Sequence, residues 1–289
     1  MNNILIGSKF DRLKIISIEG KDRKRNIIVK CRCVCGNEKI LPFYRIKNKK
    51  TRSCGCLQKE ILAKRNRSNV AELKNRNFFN KINSEQSAYF LGFMMADGCV
   101  SRNGRFRFGL KNTKDNFNII KNFLKFLKAK NKIHTSHYYK IFKNKKKYFS
   151  TVSIEITSKN LVEDLIKHGC VPKKSLILRF PKTVPKKFIN HFIRGYFDGD
   201  GHIGFYKDKK NRTSSTFSLA GTKYFLKECQ KFFIKNGLTK TRLYRVRNIY
   251  TMNYGGRLNC KYIYGILYKN ANLFLKRKKK IFTDGIKDA

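Results

Sequence analysis

Two segments of this 289-residue chain end alike: SEQSAYFLGFMMADG and FINHFIRGYFDGDG. Laid over one another without a gap, they pair Gly92 with Gly195, Ala96 with Gly199, Asp97 with Asp200 and Gly98 with Gly201. Read as helices, each carries small residues at i and i+4, Gly92 with Ala96 and Gly195 with Gly199, which fall on one face. A glycine inside a helix costs about 1 kcal/mol relative to alanine, so a matched pair of interior glycines needs a packing reason. A close helix-to-helix contact supplies it. The two helices are therefore expected to abut, with Asp97 and Asp200 side by side at their C-termini.

The segments head two copies of one longer pattern, which makes the chain an internal repeat. The first copy runs through RFRFGLKN, KDNFNIIKNFLKFLKAK, strands around HYYKIF and FSTVSIEI, and NLVEDLIKHG. The second runs through TFSLAG, KYFLKECQKFFIKNG, strands around RLYRVR and KYIYGILY, and a last helix in NANLFLKRKKK. Ahead of them, IIVKCRCVC alternates as a strand does, and the first 57 residues read as a small β-rich unit. The expected organisation is a cysteine-rich module at 1–57, a basic linker at 58–82 with the charge to lie on DNA, and repeats at 83–184 and 185–289. The fold class is α+β.

Helix C-termini carry partial negative charge and neighbouring carboxylates repel, so two aspartates meeting there make a poor arrangement without a counter-ion. A divalent cation relieves it. Carboxylate oxygens with open positions for water and phosphate suit Mg2+ rather than Zn2+. Such a cation can lower the pKa of an attacking water and stabilise the leaving oxygen in phosphodiester hydrolysis. The substrate class follows from charge. With 67 Lys+Arg against 18 Asp+Glu the formal charge is +49, which attracts polyanions and repels other copies of itself. Binding to nucleic acid is expected to weaken steeply as salt rises.

FLGFMMADG and IRGYFDGDG resemble the two copies of the LAGLIDADG motif, which names a family of homing endonucleases. The resemblance covers residues 83 onward. It implies two pseudo-symmetric αββαββα repeats forming a β-saddle over DNA, with the motif helices, through Gly92, Ala96, Gly195 and Gly199, as their interface. It implies a staggered double-strand break at a long asymmetric site on double-stranded DNA, by a monomer acting as a pseudo-dimer. It also implies intron homing or another mobile-element context. Asp97 and Asp200 are then the catalytic residues that bind Mg2+. Met95 stands where the second copy has Asp198, which puts Asp198 in doubt as a ligand. GCVPKKS, from Gly169 to Ser175, is similar to a segment that joins the repeats in bacterial and phage members. The basic residues that the family places near the scissile phosphates cannot be aligned among so many lysines.

RFRFGL alternates Arg105 and Arg107 against Phe106 and Phe108, the pattern of a strand buried on one side. RLYRVR is read likewise, with Arg245 and Arg247 opposed to Tyr244 and Val246. These four arginines are the candidates for DNA contact, whether with guanine edges or with phosphates. The runs Lys145–Lys147 and Lys276–Lys280 are assigned to phosphate contact or solvated loop. His202, next to the second motif, reads as a turn residue or phosphate neighbour.

Five of the nine cysteines, Cys31, Cys33, Cys35, Cys54 and Cys56, cluster near the N-terminus. Four thiolates satisfy a tetrahedral Zn2+ site; Cys33, Cys35, Cys54 and Cys56 are preferred, with Cys31 competing for one position. With the GSKFDRLKI opening, the region resembles the cysteine-containing module at the N-terminus of some phage and mobile-element nucleases. A unit of this size needs such a staple. Cys99, Cys170, Cys229 and Cys260 are expected to be packing residues. The lack of a long apolar run and of a signal-like N-terminus predicts a cytoplasmic, nucleoid-associated protein of a bacterial or phage-infected cell. Two other classes share the scaffold: an RNA-binding intron maturase and a non-cleaving DNA-binding regulator.

Overall fold

A computed structural model describes residues 5–71, 73–142, 144–207 and 213–287. The chain divides into two compact units, one ending at Ser68 and the other beginning at Asn69.

The first unit is an antiparallel meander of β1 (Lys9–Phe10), β2 (Leu13–Lys21), β3 (Ile27–Cys33) and β4 (Glu38–Pro42), hydrogen-bonded in that order. It is followed by α1 (Phe43–Lys47) and α2 (Cys56–Ala71). Alternation in β3 turns Val29, Cys31 and Cys33 inward and Arg32 outward. With Leu13, Ile15, Leu41 and Ile46 they form a core of seven buried side chains among the described residues.

The second unit holds the repeat. Its first half runs α3 (Glu85–Asp97), β5 (Gly98–Ser101), β6 (Arg105–Lys111), α4 (Lys114–Leu127), β7 (His134–Phe142), β8 (Lys145–Thr157) and α5 (Lys159–Lys167). Its second half runs α6 (Ile189–Asp200), β9 (His202–Lys207), β10 (Thr213–Gly221), α7 (Lys223–Lys235), β11 (Leu243–Val246), β12 (Ile249–Gly255) and α8 (Arg257–Tyr268), followed by α9 (Lys276–Lys287). Each half is αββαββα. The sheets share one strand order, β5-β6-β8-β7 and β9-β10-β12-β11. Local chemistry fixes the helix starts. The Ser84 hydroxyl accepts from the Ser87 amide in a capping box, and Thr113, Ser158 and Thr222 cap α4, α5 and α7.

Three sequence expectations change. KYIYGILY is helix, not strand: Cys260, Ile263 and Leu267 are buried at helical spacing, and the strand is the preceding IYTMNYG. That makes α8 the third helix of its half, and the basic run of NANLFLKRKKK begins an extra helix, α9. The segment read as linker to residue 82 also does not stand apart. Leu73, Phe79 and Ile82 are buried in the core of the repeat unit, and Leu73 forms a β-bridge with Ala129.

Both sheets bury their helix-facing side chains. In the first, Phe106, Phe108, Val152, Ile154 and Ile156 are fully buried, and in the second Phe217, Leu219 and Met252. The opposite sheet faces form the saddle, and α3 and α6 run side by side between the halves.

Candidate active site

Helices α3 and α6 meet on their small faces. A side-chain carbon at Gly92 would overlap the Phe192 carbonyl oxygen, and one at Gly195 the Tyr89 carbonyl oxygen. The two contacts are reciprocal, so each helix backbone rests on the other's glycine. Further along, a carbon at Gly199 would collide with the Ala96 methyl and lie 2.9 Å from Asp97 Oδ2. The crossing therefore delivers Asp97 to the end of the partner helix, where Asp200 is the last residue. Both aspartates open to solvent. Gly98 and Gly201 are extended rather than left-handed, because each leads directly into a strand.

The surrounding protein and the neighbouring Asp200 carboxylate push the Asp97 carboxyl up to about 6, against the opposing pull of Lys278, Lys174 and Arg277. Desolvation also raises the Asp200 carboxyl, with Lys174 and Lys278 opposing. Such a pair holds its charge reluctantly. Exposed donors that offer oxygen only fit a hard divalent cation.

Two lysines complete the centre; the sequence pointed only to the segments that hold them, GCVPKKS for Lys174 and the Lys276–Lys280 run for Lys278. Lys174, on a 3-10 turn after α5, donates to the Gly98 carbonyl. Lys278, in the first turn of α9, donates to the Phe197 carbonyl and, at 2.6 Å, to that of Gly201. Gly98 and Gly201 are the paired motif residues, so the lysines are pseudo-symmetric. They are 8% and 5% exposed, unusual burial for ammonium groups. Burial lowers Lys278 to about 8, Asp198 being the first of the charges that oppose the shift. Their nearly equal sequence interval from Asp97 and Asp200 was the available signal. The Lys276–Lys280 run, expected in phosphate contact or loop, is thus helical and partly buried, and Lys145–Lys147 starts β8.

Asp198 is not at the centre. It is buried and accepts from Tyr89 Oη at 2.7 Å, Tyr268 Oη at 3.0 Å and the Leu275 amide at 2.8 Å. Its partners make it a packing carboxylate, and Met95, its counterpart, is buried among apolar side chains.

On the saddle face, Arg105 and Arg107 are exposed, opposite the buried Phe106 and Phe108. Arg105 pairs with Glu155 at 3.2 Å. Arg245 and Arg247 depart from expectation. Arg247 lies in the turn after β11 with φ of 54°, and Arg245 Nε donates to its carbonyl at 3.1 Å. Tyr244 and Val246 stay about half exposed because β11 is an edge strand that projects beyond the core. His202 Nε2 lies 2.8 Å from Tyr206 Oη.

In the first unit, the sulfur atoms of Cys33, Cys35, Cys54 and Cys56 all lie within 4.8 Å of one another. Cys33 Sγ is 3.6 Å from Cys56 Sγ, and Cys35 Sγ is 3.3 Å from Cys54 Sγ. Zinc–sulfur bonds of about 2.3 Å set tetrahedral sulfurs about 3.8 Å apart, so the cage is near the required size. Asn37 Nδ2 and Arg12 Nη1 point at Cys54 and Cys56 sulfur, at 3.9 and 3.7 Å. Cys31 faces the apolar core, and burial raises its thiol. Of the scattered cysteines, Cys170, Cys229 and Cys260 are buried as expected, whereas Cys99 is exposed.

No protein-family model matches the chain. Over 201 residues, 64% of this chain, it is 26% identical to a probable translation initiation factor IF-2 of Methanocaldococcus jannaschii, and it spans 15% of that protein. Similar solved structures include the LAGLIDADG meganuclease I-AabMI bound to uncleaved DNA, with TM-score 0.45 and 16% identity over 68% of this chain and 87% of that one. The homing endonuclease I-WcaI bound to its DNA recognition sequence gives 0.46 and 14%, over 69% and 87%. Full-length DUF199/WhiA from Thermatoga maritima gives 0.44 and 14%, over 74% and 64%.

Proposed function

We propose that this chain is a metal-dependent, site-specific DNA endonuclease that makes a staggered double-strand break, as its LAGLIDADG-like motifs suggest. The observation that carries the reading is the pairing of Asp97 with Asp200 at the helix crossing, each half adding one buried lysine at the same motif carbonyl. Folding alone gives no reason for two exposed carboxylates and two buried ammonium groups to converge on a pseudo-twofold axis, since burying each ion carries a desolvation cost. Two scissile phosphates, one per strand, do.

Asp97 and Asp200 would hold Mg2+, which supplies Lewis-acid stabilisation and an acidified water. Lys174 and Lys278, anchored by the carbonyls at the helix ends, present fixed positive charge to phosphate without reorganising during the reaction. The saddle faces supply the binding surface. Arg105 and Arg107, with Arg245 on the edge strand and Arg247 in the turn after it, would contact DNA backbone or base edges. Cys33, Cys35, Cys54 and Cys56 would hold a structural Zn2+, so the first unit adds a second basic surface on the same chain and raises affinity through tethering.

The test is cleavage of a randomised duplex library with Mg2+ or with chelator. Wild type should select and cut a discrete site in Mg2+ only, and an Asp97→Asn, Asp200→Asn double variant should bind that site without cutting. Binding without cleavage by wild type would instead mark a regulator, and preference for RNA a maturase; either result overturns the endonuclease reading.

A further inference from the structure

The lysines of the two halves reach the centre by different means. Lys174 hangs from its own half: the Cys170 amide donates to the Leu165 carbonyl at 2.9 Å, the Cys170 thiol meets the Met94 carbonyl at 3.5 Å, and His168 Nε2 lies 2.5 Å from the Phe79 carbonyl. The stretch leading to Lys278 is held instead by three carboxylates. Glu85 Oε1 accepts from the amides of Asn272 and Leu273 at 2.9 and 3.0 Å, and Asp198 accepts from Leu275. Asp115 accepts from the amides of Lys276 and Arg277 at 3.2 and 3.0 Å. Five backbone N–H groups within six residues are thus satisfied by acidic side chains, in a chain with only 18 Asp and Glu.

Two of the three acids come from the first repeat. Glu85 is in the first turn of α3, and it also binds Arg194 Nη2 at 2.6 Å, whose guanidinium donates to the Leu267 and Leu273 carbonyls. Asp115 is in the first turn of α4, and its partners are the first two residues of α9. The first amides of a helix have no partner within it, so an acid set there fixes where the helix begins and how it is aimed. Lys278 is the next residue.

We propose that Asp115 and Glu85 are positioning residues for Lys278, so that the first repeat sets the second repeat's share of the cleavage centre while Lys174 is set within its own half. This rests on the endonuclease reading. Removing the Asp115 carboxylate should therefore slow cutting of one strand and spare the other.

The experiment uses the full chain on a supercoiled plasmid that carries a site selected by wild-type cleavage. Lys174→Met and Lys278→Met identify which strand each lysine serves. Asp115→Ala should accumulate nicked circle, with the strand dependent on Lys278 cut on the order of tenfold or more slowly and the other at the wild-type rate. Asp115→Asn, which keeps an acceptor oxygen at the helix start, should restore linear product. A loss caused by general destabilisation would slow both strands and track the melting temperature, and that outcome overturns the proposal, as does an Asp115→Ala enzyme that linearises the plasmid like wild type. Failure of wild type to cut any site would overturn the endonuclease reading itself, a result distinguishable from both.

Discussion

The meeting of Asp97 and Asp200 was legible because each sits in a motif whose neighbours are matched in the other copy, so the carboxylate and the reason for its placement are adjacent in sequence. Lys174 and Lys278 were not, because the folding that singles them out is tertiary. Among 67 Lys and Arg, burial against the Gly98 and Gly201 carbonyls sets these two apart, and the sequence carries no more than their nearly equal interval from Asp97 and Asp200. The titration of Asp97 has a direct consequence. Its carboxyl is raised from the ordinary carboxylate range to about 6, so the folded state holds a proton that the unfolded chain releases. Between those limits stability falls as pH rises, and above about 6 the full penalty applies. Metal-free wild type should therefore melt higher at pH 5 than at pH 7.5. Asp97→Asn should melt above wild type at pH 7.5 and lose most of that advantage at pH 5. Calorimetric melts that coincide at both pH values would remove the electrostatic argument.

At the scale of helices and strands, periodicity read most elements correctly and failed where aromatic residues crowd together. KYIYGILY is rich in residues that favour strands, yet its buried positions repeat at helical spacing, and tertiary packing overrides propensity. The edge strand bearing Arg245 failed for a related reason: alternation reports a buried face only where a core lies beneath it. The helix crossing was legible from its glycines, and it makes a paired prediction. Gly195→Ala should destabilise by about 1–3 kcal/mol, because its methyl would strike the Tyr89 carbonyl and both backbones are locked by packing. Gly265→Ala, in α8, has nothing within 4 Å of the new methyl and should stabilise by up to about 1 kcal/mol through helix propensity. Denaturant midpoints measured on the two variants should move in opposite directions.

For the whole molecule, the division into a cysteine-bearing unit and a doubled unit followed from composition and repeat. The boundary was misjudged because the basic composition of the intervening stretch hid Leu73, Phe79 and Ile82, which serve the larger core. The first unit's seven-residue core is too slight to stand alone, whereas the second has its own extensive one. If the four thiolates hold zinc, a chelator should abolish hydrogen-exchange protection in β2 to β4 while α3 and α6 keep theirs. Protein purified without zinc but fully protected in β2 to β4 would refute the ligand assignment.

The carboxylates that hold the approach to α9 also make the two halves of the doubled unit dependent on each other. Where the first half has Glu85 and Asp115, the matching positions of the second half are Phe188 and Tyr224. A pair of second halves would lack both of those acids, and a pair of first halves would have nothing for them to hold. The two halves have become unlike in what they give each other, so neither could be exchanged for a second copy of its sibling. Two identical halves brought together could therefore not rebuild this centre, because the anchor for α9 and the helix it anchors are carried by different repeats.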